Sequence, residues 1–137
     1  MMAAALLLVA SAALLEFFVF YCRALLDSYS TIELSPQARE VTGIKNRTAC
    51  GDEFKRFLQI ANMCLERKGD KARCRFVGAY YGALNLLRAL SAAVAPGVHD
   101  WTERERARCA YFAAVMLDRR IAYTRELWAQ QMLDEGR

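Results

Sequence analysis

The sequence predicts an all-α protein in which an N-terminal single transmembrane helix precedes a small bundle of about three helices. Charge placement is the first reason. The 137 residues carry 19 Lys and Arg against 15 Asp and Glu, yet Glu16 is the sole charged side chain before Arg23. Two compositions therefore share one chain. The second reason is spacing, because beyond Asp52 the apolar residues recur at three- and four-residue steps, the period of one helix face. The third is punctuation: Lys68-Gly69-Asp70 and Pro96-Gly97 cut that periodic region into separate helices. Together these features exclude a wholly disordered chain, a collagen-like repeat and a polytopic carrier. They divide the chain into an anchor helix at 1–26, an irregular connecting arm at 27–50, and a helical hairpin plus long C-terminal helix at 51–137.

The anchor is the stretch from Met2 to Cys22, interrupted only by Ser11 and Glu16, and about 20 apolar residues suffice to cross a hydrocarbon core. A cleaved secretory signal ending at Ala10-Ser11-Ala12 is the competing reading. It fits less well, because no Lys or Arg precedes the apolar run and the run continues past that site to Tyr21. The expected location is an integral membrane protein with one span. Arg23 and Arg39 flank its C-terminal end against no basic residue on the other, which assigns the tail to the cytoplasmic (inner) side.

The arm contains Pro36 and Gly43 and shows no sustained period. Its Asn46-Arg47-Thr48 triplet matches a glycosylation sequon, a short pattern that has meaning only in a secretory lumen. From Asp52, residues Phe54, Phe57, Leu58, Ala61, Cys64 and Leu65 predict a helix of about 15 residues. Gly69 follows as a helix stop and Asp70 as a cap for the next start. The second tail helix is expected over 71–94.

Residues 76–95 are apolar apart from Asn85, Arg88 and Ser91, so they also invite reading as a second span. An arginine near the middle of a span costs about 2.5–3.5 kcal/mol. Pairing it with Glu16 fails on depth, since an antiparallel alignment of Cys22 with Phe76 leaves the two roughly 9 Å apart. Burial in a soluble bundle is the preferred reading. Within this helix Gly78 and Gly82, with Ala79 and Ala83, form a smooth strip; packing inside the domain is the first reading and docking by another subunit the second.

The last helix is expected to open at a capping box, Thr102 with Glu105, and to run to about Leu133. That length suggests an overhang carrying Trp128, Met132 and Leu133 as a partner surface. Its Arg104, Arg106, Arg108, Arg119, Arg120 and Arg125 are interleaved with Glu103, Glu105, Asp118 and Glu126, the pattern of a solvated face or of contact with anionic lipid. No nucleic-acid partner is expected from it.

Chemistry-bearing constellations are absent from the sequence. The single histidine, His99, sits in Val98-His99-Asp100, expected as a surface turn, and no phosphate loop, nucleophile elbow or H-E-x-x-H occurs. The five cysteines contain no C-x-x-C pair, so no structural zinc or cofactor is expected and packing is their first reading. Cys64 and Cys74 flank the predicted hairpin turn and could close a disulfide in an oxidising compartment. Glu16 is the residue simple anchoring leaves unexplained, because an acid inside a span is costly. It shares a face with Ala5, Val9 and Ala12, which suits packing against another membrane subunit. The expectation is a non-catalytic accessory or assembly subunit of a membrane complex, with other membrane subunits and lipid as partners. The alternative is a free membrane-tethered adaptor whose tail recruits a soluble protein.

Overall fold

Helix α1 (Met2–Ser30) does not stop where its apolar run does. The computed structural model describes residues 1–46 and 48–137, and there the first helix continues eight residues beyond Cys22 on Arg23-Ala24-Leu25-Leu26, all able helix formers. Its end is marked by hydroxyls that turn back on the helix. Ser28, Ser30 and Thr31 donate to the carbonyls of Leu25, Asp27 and Ser28, offering the backbone a way out of the helix.

The expected irregular arm holds a helix of its own, α2 (Pro36–Thr42). Local rules explain it. Ser35 caps the start by accepting from the Ala38 amide, Pro36 occupies the first turn, and Gly43 closes the end at φ 73° in the left-handed region. Asp118 fixes the segment in place, accepting from the Ser35 amide at 2.9 Å and the Ser35 hydroxyl at 2.6 Å. Arg47, the middle residue of the sequon, lies outside the described residues.

A 3-10 turn at Gly51–Glu53 leads into α3 (Phe54–Asn62), which is shorter than its periodicity predicts. The cause is competition for backbone partners. Arg120 donates to the Ala61 carbonyl at 3.0 Å and Thr124 accepts from the Leu65 amide at 3.3 Å, so the last helix, α5 (Pro96–Glu135), supplies partners that a longer α3 would have provided itself. Gly69 then takes φ 88°, and α4 (Asp70–Ser91) begins. Asp70 does not act as a side-chain cap; it is buried as the first residue of the helix and faces Arg120.

Helix α5 (Pro96–Glu135) starts at Pro96 and not at the expected capping box. Thr102 and Glu105 are buried within it, Thr102 donating to the His99 carbonyl at 2.7 Å and Glu105 accepting from Tyr80 at 2.8 Å. Pro96 pre-sets the first helical turn, and the two groups the box would have used are taken elsewhere, Thr102 by a carbonyl of its own helix and Glu105 by Tyr80 of α4. The Val98-His99-Asp100 stretch, expected as a turn, is helical for the same reason. With 40 residues, α5 is about 60 Å long.

The core surrounds the middle of α5. Residues 109–117 are buried on every side, a helix stretch apolar all round because α1, α2, α3 and α4 each touch it. Among the described residues the chain is helical, with no strand.

Candidate membrane anchor and docking faces

The two ends of α1 have opposite environments. Side chains 1–17 are all exposed, whereas Cys22, Leu26 and Tyr29 are buried. At 1.5 Å per residue the apolar run is about 30 Å long, the thickness of a hydrocarbon core. Among the described residues, α1 is the one helix long and apolar enough to cross a membrane.

The changeover is built from aromatic rings. Phe18 lies 6.2 Å from Phe76 and 6.5 Å from Tyr80 between ring centroids, and Tyr21 lies 5.5 Å from Phe76. Further along, Tyr29 meets Phe112 at 4.7 Å, Arg119 stacks over the Tyr29 ring, and Arg73 donates to its hydroxyl at 3.0 Å. These contacts set directions. Contacts advance together along α1 and α5, making them parallel, and run in opposite order along α1 and α4, making them antiparallel.

Ions lock the junction. Arg23 and Asp27 of α1 face Glu105 and Arg108 of α5, with Arg23 to Glu105 at 3.9 Å, and Arg108 also donates to Glu105 at 2.9 Å. Glu105 is buried, and its load of donors is what makes its burial tolerable. Burial, and then the hydrogen bond it donates to Glu105, push the Tyr80 phenol far above its ordinary value, so this hydroxyl stays a donor. Beside it, burial raises the Cys109 thiol to about 12.

A second cluster, centred on the buried Arg106 and reaching the exposed Asp52, pins the 3-10 turn to α5. Arg106 donates to Asp52 at 2.6 Å, to Glu103 at 3.0 Å and to the Tyr81 hydroxyl at 3.1 Å, while Tyr81 donates to the Gly51 carbonyl at 2.7 Å. The Arg106 hydrogen bond, followed by its charge, holds the Asp52 carboxyl below its ordinary value. Arg106 and Arg120 correct the reading of a wholly solvated basic face. Both are buried, because Asp52 and Asp70 arrive from other elements to meet them. Sequence reasoning missed them because those partners lie dozens of positions away.

Ala5, Ala12 and Glu16 all stand on the exposed part of α1, and Glu16 sits beside Leu15, Val19 and Phe20. Gly78 and Gly82 lie on the uncovered side of α4. A Cβ added at either would meet nothing within 4 Å, so the expectation that the strip packs inside the domain is overturned. The inner face of α4 is instead Val77, Tyr81, Leu84 and Ser91. Trp128, Met132 and Leu133 are exposed at 60%, 72% and 72% on the end of α5. Cys64 and Cys74 are free thiols; the Cys74 sulfur lies 4.0 Å from an Arg120 nitrogen, and burial raises its pKa. Among the described residues no three His, Cys, Asp or Glu side chains gather as a metal-binding group. Compared with known proteins, the chain matches no family model, no curated protein and no solved structure.

Proposed function

We propose that this protein is a non-catalytic accessory or assembly subunit of a larger membrane protein complex, held by α1 as a single span. The observation that carries this reading is the division of α1. Its first half finds no cover within its own chain, while its second half is locked by ion pairs and aromatic contacts to a bundle. Such a build holds one helix face at a fixed angle for membrane neighbours. The Ala5, Ala12 and Glu16 face is the one on offer, small enough for close approach and carrying an acid that a partner donor would satisfy. Arg23 and Arg39, both beyond the apolar run, favour the bundle on the cytoplasmic or equivalent inner side.

Gentle detergent extraction from native membranes, followed by sizing, tests the reading. The native 15.5 kDa chain should travel in a much larger particle. Ala12→Leu should insert normally and leave that particle, because bulk on the small face blocks approach; Glu16→Leu should insert at least as well as the native chain. If both variants co-purify with the same partners at native yield, the interface assignment fails. A free membrane-tethered adaptor is the second reading, favoured by the exposed Trp128, Met132 and Leu133 at the end of α5. Migration of the native protein as a single chain, with a soluble protein captured through Trp128, would favour it.

A further inference from the structure

The seam along which α1 packs on α4 continues long after α1 has left it. Phe76 and Tyr80 take the aromatic contacts from Phe18 and Tyr21, and the same side of α4 carries on through Ala83, Leu87 and Leu90 at three- and four-residue steps, with Val94 following in the turn after the helix. None of these later residues is covered. Leu86, Leu87, Leu90 and Val94 are exposed at 64%, 39%, 68% and 82%, and Val98 on the first turn of α5 adds 38%. A contiguous aliphatic surface of this kind is a contact surface and not an ordinary solvated one.

Its position identifies what covers it. The Cys22 thiol points at the Phe76 carbonyl, 3.8 Å away, which puts the start of this seam level with the end of the apolar run. Because α4 is antiparallel to α1, everything beyond Phe76 extends toward the side from which the projecting half of α1 departs. Charge agrees with this. Between residues 76 and 95 the only side chain of a charged type is Arg88, and although 42% of it is exposed its guanidinium is paired with Glu103 of α5, its Nε shielded from solvent. A face whose one charge is paired, beside the proposed span and continuous with it, has the chemistry of a lipid contact, with Asp100 on α5 marking where the polar side resumes.

We infer that the α4–α5 hairpin end, through Leu86, Leu87, Leu90, Val94 and Val98, inserts into the acyl region of the bilayer beside α1. The protein thus holds the membrane at two places, a span and an embedded hairpin end. The open Gly82 and Ala83 surface lets acyl chains reach the helix closely. This inference rests on the reading of α1 as a span.

The experiment is photolabelling of the full-length protein in phosphatidylcholine vesicles containing a phospholipid with a diazirine in its acyl chain, with adducts mapped by mass spectrometry after trypsin. Cleavage at Arg23, Arg75, Arg88, Arg104 and Arg125 separates peptides 1–23, 76–88, 89–104 and 126–137. Adducts should appear on 1–23, 76–88 and 89–104 at several-fold the level on 126–137. Replacing Leu86, Leu90 and Val94 together by Gln should return the two α4 peptides to that background and leave 1–23 unchanged. Labelling of 1–23 without the α4 peptides overturns the inference and spares the span. Absence of adducts from 1–23 overturns the span reading itself. Labelling of α4 in vesicles but not in native membranes, where a partner would be present, shows a protein on this face and overturns lipid as its occupant.

Discussion

Arg120 near the end of the buried part of α5 and Asp70 at the first turn of α4 sit 3.8 Å apart, both all but closed off from solvent, and Arg120 also donates to the carbonyl of Ala61. One guanidinium thereby ends α3, starts α4 and ties both to α5. Removing one member of a buried pair leaves an uncompensated charge, which costs about 3–5 kcal/mol. Asp70→Ala should therefore lower the unfolding midpoint of the detergent-solubilised protein sharply. Asp70→Ala combined with Arg120→Met should recover a large part of that loss, because the stranded charge is gone. Equal midpoints for the single and double variants would show that the pair does not act as a unit.

Two glycines should respond in opposite directions. At Gly51 a Cβ would stand 2.8 Å from the Arg106 Cβ and 3.3 Å from its backbone carbon, so Gly51→Ala forces the turn away from α5 and should cost about 1–3 kcal/mol as overpacking does. At Gly82 the space is open, and an alanine in mid-helix should gain about 0.5–1 kcal/mol. Denaturant titration of both variants checks the signs.

Where the anchor ends and the bundle begins also makes a prediction. The boundary drawn from composition falls after residue 26, and a tail from Thr48 would on that view stand alone. The structure puts Cys22, Leu26, Tyr29 and Leu34 in the core, at 0%, 2%, 4% and 5% exposure. A chain starting at Phe18 should keep a cooperative helical melt by circular dichroism; a chain starting at Thr48 should lose it. A cooperative melt for the shorter chain would show that α1 is dispensable to the core.

Much of this was readable from residues, and the failures share a cause. The apolar run, the periodic face of α3, Gly69 as a boundary and the α5 overhang follow from local patterns. Ser35-Pro36 and Gly43 also spelled out α2 in capping language, but seven residues give no periodicity to back it. Thr102 and Glu105 made a valid capping box, overridden because Glu105 was claimed by Tyr80 and Arg108. Arg106 and Arg120 looked solvated because nothing in their own helix reveals Asp52 or Asp70. Local chemistry was legible, and long-range partnership was not.

Thiol chemistry and pH give a further check. Cys50 is exposed and should react with a maleimide first, whereas Cys109 should react only on unfolding, its thiol held neutral by burial. Cys64 and Cys74 should both react after denaturation without prior reduction; protection that reductant removes would reveal a disulfide. Because the folded Cys109 pKa, about 12, lies above its ordinary 9.0, the folded state holds its proton more tightly, so stability should fall as pH rises from 9 toward 12. Asp52 has the opposite sign: its folded value lies below 3.8, so its contribution is present above that pH and lost as the solution is acidified through the folded value. Asp52→Asn should flatten the acid limb alone.

The parallel clamp between α1 and α5 has a mechanical consequence. The rod α5, about 60 Å long, is gripped near its first third by Arg23 to Glu105 and Asp27 to Arg108 and again where Phe112 meets Tyr29, so α1 and α5 turn as one body. From Arg108 to Glu135 α5 measures about 40 Å, with its uncovered end beyond the core, so if α1 is a span, leaning the clamped pair by roughly 10° carries Trp128 and its neighbours sideways by several ångströms. Spans lean when the hydrocarbon layer thins. On the proposed span, membrane thickness is in this way geared to the position of the Trp128 tip.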